Sequence, residues 1–391
     1  MNNSIGRSVF AVAVLAVAAI GAGCCKKPVH EVIDLTAQAR AAAEASGLAL
    51  GSAGVEGATL RIYTWSDYVS GDVLDSFERA LGVKVEVETF DSNETMFERL
   101  KTEGSRYDLI MPSSYQIAAM VREGMVEPLD RTRLPNVRQN FEPSFASQIL
   151  DPSFTYSVPY AVTYTGLAYR KDRLGSTMHP GTWLVLGEEE LCGRISLLND
   201  MREVIGAALM RLGYSVNSTD RDEIARAASL VIKWRDNVRS FDTEGYKGGL
   251  ACGDTWLAQG YSTDITQLIA GDKKSGVPPR ADIGFALPRE GFTVAFDEMV
   301  LASGAKNKDL VYAFINYMYD GDVAAANMNY MCGTMPVAPG IALLDDDYRE
   351  LIVLDDAQMR NGQLLRSFDD RPDVQKLYET AWELIKATAA E

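Results

Sequence analysis

The stretch that decides the fold reads Leu60-Arg61-Ile62-Tyr63-Thr64-Trp65-Ser66-Asp67-Tyr68 and continues as an amphipathic run to Gly82. Leu60, Ile62 and Thr64 alternate as in a short strand, while Val73, Leu74, Phe77 and Leu81 recur at helical spacing and Gly82 supplies a stop. Trp65, Ser66, Asp67 and Tyr68 then fall in the turn between strand and helix. In an open α/β sheet, ligands bind in the crevice beyond the carboxyl ends of the strands. Two aromatics flanking a carboxylate there suit an organic cation: ring faces attract ammonium groups and cover methylenes, and the carboxylate neutralises charge. Taken alone, the tetrapeptide reads first as an aromatic-rich turn that plugs the sheet edge.

The same alternation continues outward. Val83, Val85 and Val87 read as a strand, Glu94 to Lys101 as a helix ending near Gly104, and Leu109-Ile110-Met111 as a buried strand opening into Pro112-Ser113-Ser114-Tyr115. A late helix opens near Asp309, an acid suited to a first turn, with Leu310, Val311, Phe314, Ile315 and Met318 as its buried stripe. Strands alternating with helices build a mostly parallel sheet with its ligand loops on one side. At 391 residues and 47% hydrophobic composition, the chain can bury full cores in two lobes. Its formal net charge is -16, or -17 once residues 1–23 and their single Arg7 are set aside. Such an acidic surface disfavours nucleic acid and anionic lipid as partners and raises the local concentration of cationic solutes.

Arg7 precedes an apolar segment from Val9 to Ile20, shorter than the roughly 20 residues of a spanning helix. Gly21-Ala22-Gly23-Cys24 follows. Residues 1–23 read as a signal peptide and Cys24 as the lipidated first residue of a bacterial lipoprotein. An ordinary secretory signal cleaved nearby is the alternative, because Gly21 is not the branched aliphatic common three residues before such a cysteine. Residues 24–58, rich in Ala, Gly, Ser and Glu, read as a helix-prone or disordered tether.

Cys192, Cys252 and Cys332 are an odd number and lack the close spacing that zinc demands, so no metal or cofactor is expected. A Cys252–Cys332 disulfide and buried free thiols are both open. Only His30 and His179 exist as histidine bases, which argues against a Ser-His-Asp hydrolase.

Several ordered blocks carry a resemblance: Tyr63-Thr64-Trp65-Ser66-Asp67-Tyr68, Ser92-Asn93-Glu94-Thr95-Met96, Tyr107-Asp108-Leu109-Ile110-Met111-Pro112-Ser113, Val158-Pro159-Tyr160, Arg202-Glu203-Val204, Leu212-Gly213-Tyr214 with Ser218-Thr219-Asp220, and Ala305-Lys306-Asn307-Lys308. In this order they resemble the polyamine-binding (spermidine/putrescine) receptors of bacterial ABC importers. The resemblance implies an α/β, two-lobed periplasmic-binding-protein fold of type II, each lobe a mostly parallel sheet flanked by helices, with the ligand cleft between. It implies a first lobe of residues 59–163 and 297–343 and a second of 164–296 and 344–391. It also implies a monomeric, lipid-anchored receptor on the periplasmic side of the cytoplasmic membrane, delivering polyamine to a permease and catalysing nothing.

Carried over by resemblance, the ligand site comprises Trp65, Ser66, Asp67, Tyr68, Ser113 and Tyr115 from the first lobe, with Asp200, Glu203, Tyr261, Asp264, Phe296 and Asp297. Asp200 and Glu203, three apart at a helix start, can face one cleft or simply complement the helix N-terminus. The chain departs from the pattern at Tyr261, where tryptophan is usual, at Ala295, where an aromatic is common, so that Phe296 can as easily point into the core, at Gly333-Thr334-Met335-Pro336, which lacks a tyrosine, and at Leu365, near a position where glutamine occurs. Asp264 leans toward a putrescine-type pocket and the Asp200–Glu203 pair toward spermidine. A receptor for another solute, such as iron or an oligosaccharide, a cysteine-dependent enzyme on this fold and a surface adhesin are the rival readings.

Overall fold

The computed structural model describes residues 33–49, 55–90, 92–103, 106–174, 178–271, 278–368 and 371–387. The signal-peptide reading and Cys24 lie outside them. The opening stretch forms β1 (Thr59–Trp65) and the helix Gly71–Leu81. Gly82 caps that helix at φ 66°, a left-handed conformation that a residue without Cβ adopts freely, and its N–H donates to Glu78 O at 2.9 Å. The other strands are β2 (Lys84–Phe90), β3 (Leu109–Ile110), β4 (Ser157–Arg170), β5 (Ile195–Leu197), β6 (Val238–Phe241), β7 (Leu257–Tyr261), β8 (Ile283–Ala286), β9 (Phe292–Leu301) and β10 (Gly362–Leu364).

Their spatial order is β2-β1-β3-β9-β4-β7-β5-β6, with β8 beside β4 and β10 beside β9. In the first half β2, β1 and β3 are parallel, and in the second half β6, β5 and β7 are parallel. The antiparallel exceptions involve β4 and β9, the strands that cross between halves. β4 pairs with β9 over Ser157–Tyr164 and then with β7 and β8 over Thr165–Arg170, so one continuous strand serves both sheets. Each half has its own core. Leu60, Ile62, Phe77, Val158 and Phe314 pack in the first, and Trp183, Ile195, Leu209, Trp234, Leu257 and Tyr378 in the second. The helix Pro372–Ala387 closes the second core with Val374, Tyr378 and Ile385.

The N-terminal segment corrects the tether expectation. Residues Thr36–Ala45 form a helix whose Ala39, Ala42 and Ala43, with Leu35 and Leu48 at its ends, are buried in the first core. It packs on the helices Lys308–Met318 and Gly71–Leu81, and Arg133 Nε donates to Ser46 O at 2.9 Å. Alanine carries little apolar area but permits close helix approach, so few large side chains did not mean no burial. The helix Lys308–Met318 buries the predicted stripe and also Tyr312, Ala313, Asn316 and Tyr317, since it is packed on more than one side.

Candidate functional site

β9 brings several of the expected site residues to their partners. Thr293, Ala295 and Asp297 alternate along one face of this regular strand, and Phe292, Val294 and Phe296 along the other. Phe296 is fully buried and packs edge-on to Phe145 at 5.9 Å in a cluster with Val162, Tyr164 and Met359. It is therefore removed from the expected site set: adjacent residues of a strand face opposite ways, and Asp297 is the one that meets Ser113 and Tyr68.

Asp297 is 7% exposed. Ser113 Oγ donates to its Oδ1 at 2.6 Å and the Tyr68 hydroxyl donates to its Oδ2. Neither partner is a cation, and burial pushes the Asp297 carboxyl up while these two hydroxyls pull it back. Burial, the Asp297 charge and the bond to it raise the Tyr68 phenol far above its usual range, so Tyr68 stays a donor. Behind them, Asn93 Nδ2 donates to Ser113 Oγ at 3.1 Å and to Tyr115 OH at 2.8 Å, while Ser113 N–H donates to Asn93 Oδ1 at 3.0 Å.

The turn carrying Tyr68 is pinned separately. Tyr160 OH and Asn327 Nδ2 both donate to Tyr68 O, at 2.7 and 3.1 Å, and Asn327 Oδ1 accepts from Ser70 N–H at 2.9 Å. Tyr160 occupies a β-bulge, the extra residue on β4 opposite Glu298 and Asp297. Asp67 has φ 56°, a left-handed backbone; it and Ser66 are exposed, while Trp65 is half-buried with its ring edge-on to Phe90 at 4.5 Å. No hydrogen bond ties either side chain to the Asp297 cluster among the described contacts.

The second half supplies another acid group. Asp200 caps the helix Met201–Arg211, its Oδ1 accepting from the N–H groups of Arg202 at 2.8 Å and Glu203 at 3.1 Å, and Tyr261 OH approaches its Oδ2 at 3.4 Å. Thus the capping reading of Asp200 holds, and one oxygen still faces Tyr261. Glu203 is 4% exposed and accepts from Thr293 Oγ1 at 2.5 Å. Burial, reinforced by the Asp200 charge, pushes its carboxyl up to about 8. Tyr115 of the first half lies close enough to Tyr261 and Arg202 to act on both electrostatically, so the halves approach each other here.

Asp264 departs from expectation. Lys247 Nζ donates to its Oδ1 and Tyr246 OH to its Oδ2, both at 2.8 Å. Its charge is already compensated by the protein. Among the described residues no group of His, Cys, Asp and Glu is arranged to hold a metal ion, and of the three cysteines, none in a disulfide, Cys192 and Cys252 are exposed and Cys332 is buried. The conceivable Cys252–Cys332 disulfide is not formed. Residues that the sequence reading did not assign are Asn93, Thr293, Asn327 and Tyr160; alternation around Asp297 was the signal that could have found Thr293.

The model of a family described as bacterial extracellular solute-binding protein matches residues 72–357, most of the chain. The chain belongs to that family. This solute-binding protein is 34% identical over 293 residues to the putrescine-binding periplasmic protein PotF of Escherichia coli, covering 71% of this chain and 78% of that one. Among solved structures it resembles the spermidine/putrescine ABC transporter substrate-binding protein PotD from Streptococcus pneumoniae, with a TM-score of 0.76, 28% identity and coverage of 85% and 100%. It also resembles the TpPotD lipoprotein of Treponema pallidum, with a TM-score of 0.74, 29% identity and coverage of 84% and 99%. The family is one of solute receptors rather than enzymes, and its two-domain binding-protein fold is the fold of this chain.

Proposed function

We propose that this solute-binding protein is the polyamine receptor of a bacterial ABC importer, closing its two halves around putrescine or spermidine and delivering the ligand to a permease. The observation that carries the reading is a pair of buried acids set apart along β9: Asp297 on the strand itself, and Glu203 of the helix Met201–Arg211 against Thr293, each held by hydroxyl donors. Thr293 and Asp297 are four residues apart, about 13 Å along an extended strand. Ala295 between them leaves a narrow side chain at the centre. A linear cation with an ammonium at each end suits two buried acids set apart in this way, because each carboxylate meets a charge and the methylenes lie between. Sugars would leave the carboxylates uncompensated, and iron would require its hard ligands gathered at one point.

Within this reading Tyr68, Ser113, Asp297, Asp200, Glu203 and Tyr261 line the ligand, Tyr115 joins them on closure, and Trp65, Ser66 and Asp67 form the rim. The lobes run as 59–163 with 297–343 and 164–296 with 344–391, and the N-terminal helix adds to the first. Lipidation of Cys24 and a monomeric state complete the proposal; the lipoprotein among its structural relatives supports the anchor. Calorimetric titration of the soluble body with diamines, triamines, amino acids, sugars and metal ions tests it. Binding confined to the amines is expected, and tight binding of any other class with none of amines overturns it. Labelled fatty acid should enter the full-length protein and not its Cys24→Ala variant.

A further inference from the structure

Tyr68 reaches Asp297 from a turn whose backbone is strained. Asp67, the residue before it, holds φ 56°, and a side chain with a Cβ enters that left-handed region only at a cost. Such a conformation persists where surrounding groups over-determine it. Here the groups come from far along the chain. Asn327, fully buried, stands within the helix Gly321–Met331 and is the one amide on a buried face made otherwise of Val323, Ala324, Ala325, Met328 and Met331. Its Oδ1 accepts from Ser70 N–H at 2.9 Å, and its Nδ2 donates to Tyr68 O at 3.1 Å and to Tyr160 OH at 2.8 Å. Tyr160 OH donates in turn to the same Tyr68 O at 2.7 Å. Flipping the amide would set its oxygen against Tyr68 O and its N–H groups against Ser70 N–H, so a single orientation satisfies the set.

We infer that Asn327 is a positioning residue for the cation site: by clamping the main chain on both sides of Val69, it holds the Tyr68 hydroxyl on Asp297 before any ligand arrives. The inference rests on the polyamine reading, in which Asp297 meets an ammonium, and adds what sets the donor of that acid in place. Asn327 makes no hydrogen bond to Asp297 itself and acts through Tyr68. Released from the clamp, the turn relaxes at Asp67 and Asp297 is left with Ser113 as its hydroxyl donor. The ligand would then have to order the turn as it binds, which lowers affinity.

A double-mutant cycle with Tyr68→Phe, which removes the hydroxyl alone, separates this role from a general loosening of the core. In the otherwise unaltered protein, Asn327→Ala should weaken putrescine binding by about tenfold in calorimetric titration, the scale of one hydrogen bond to a charged group. In the Tyr68→Phe background the same substitution should weaken it by less than about threefold, because the hydroxyl it positions is already gone. Tyr160→Phe takes one hydroxyl out of the clamp without enlarging the site and should show the same pattern; it carries the test should Asn327→Ala fail to fold. Equal losses in both backgrounds, or wild-type affinity in the folded single variants, overturn the inference while leaving the polyamine reading in place. A wild-type protein that binds no amine overturns both.

Discussion

The two halves of the molecule bury their acids differently. Asp297 receives two hydroxyl donors, Ser113 and Tyr68, and Asn93 braces one of them. Glu203 has the donor Thr293 but also a second acid, Asp200, beside it. At the Asp297 end burial pushes the carboxyl up, and the two hydroxyl donors pull it part of the way back toward the ionised form. At the opposite end burial and like charge keep a proton on Glu203 at neutral pH, so an arriving ammonium must displace it. Pre-organisation and proton exchange are two ways to keep an empty cation site from paying the full cost of buried charge.

The largest effect should come from Asp297→Asn, which keeps shape and removes a desolvated charge. Putrescine binding measured by calorimetry should weaken by about 2 to 4 kcal/mol, roughly 30- to 1000-fold. A loss below threefold would show that the Asp297 end is not the anchor.

Glu203→Gln should cost less at pH 7, about 1 to 2 kcal/mol, because the wild-type ligand must first expel a proton. With the folded carboxyl at about 8, wild-type affinity should rise between pH 6 and pH 9 and level off above. The Gln variant should lack that rise. Enthalpies that do not vary with buffer ionisation heat at pH 7 would refute proton release at this end.

Thr293→Val removes the hydroxyl that faces Glu203 and should weaken binding by about 1 kcal/mol, the usual worth of one hydrogen bond. The pH at which affinity levels off should shift upward, since the hydroxyl favours the ionised form. A variant with wild-type affinity and pH profile would remove Thr293 from the site.

The smallest effect on binding is expected from Glu298, a buried acid on the opposite face of β9 that accepts from Ser157. Burial pushes it up to about 8. A carboxyl raised in the folded state contributes stability that is fully present below its unfolded value and lost as pH rises through the folded one. The ligand-free melting temperature should thus fall between about pH 4.5 and 8, both Glu203 and Glu298 contributing. Glu298→Gln should flatten part of that fall and change putrescine affinity less than twofold. Equal flattening by neither glutamine variant would reject the assignment.

Elements set by local pattern were legible in the sequence. β1, β3 and the helix Gly71–Leu81 with its Gly82 cap follow from periodicity within a dozen residues. The two-lobed fold and the family emerged from the order of short blocks. What stayed hidden depends on partners far along the chain. Thr293 matters because Glu203, ninety residues earlier, faces it. Lys247 shows its meaning only once Asp264 is beside it. The bulge at Tyr160 is a register event between β4 and β9, invisible in either strand alone. For Phe296 the sequence leaves pocket and core both open, and the alternation of Phe292, Val294 and Phe296 against Asp297 is the readable signal for the core.

The docked N-terminal helix has a practical meaning for anyone shortening the chain from its N-terminal side. A shortened form beginning at Thr59 would strip Leu35, Ala39, Ala42, Ala43 and Leu48 from the first core and bare the apolar flank of the helix Lys308–Met318. Such a strip invites self-association. Starting at Ile33 keeps that flank covered and leaves the carbonyl of Ser46 in place for Arg133.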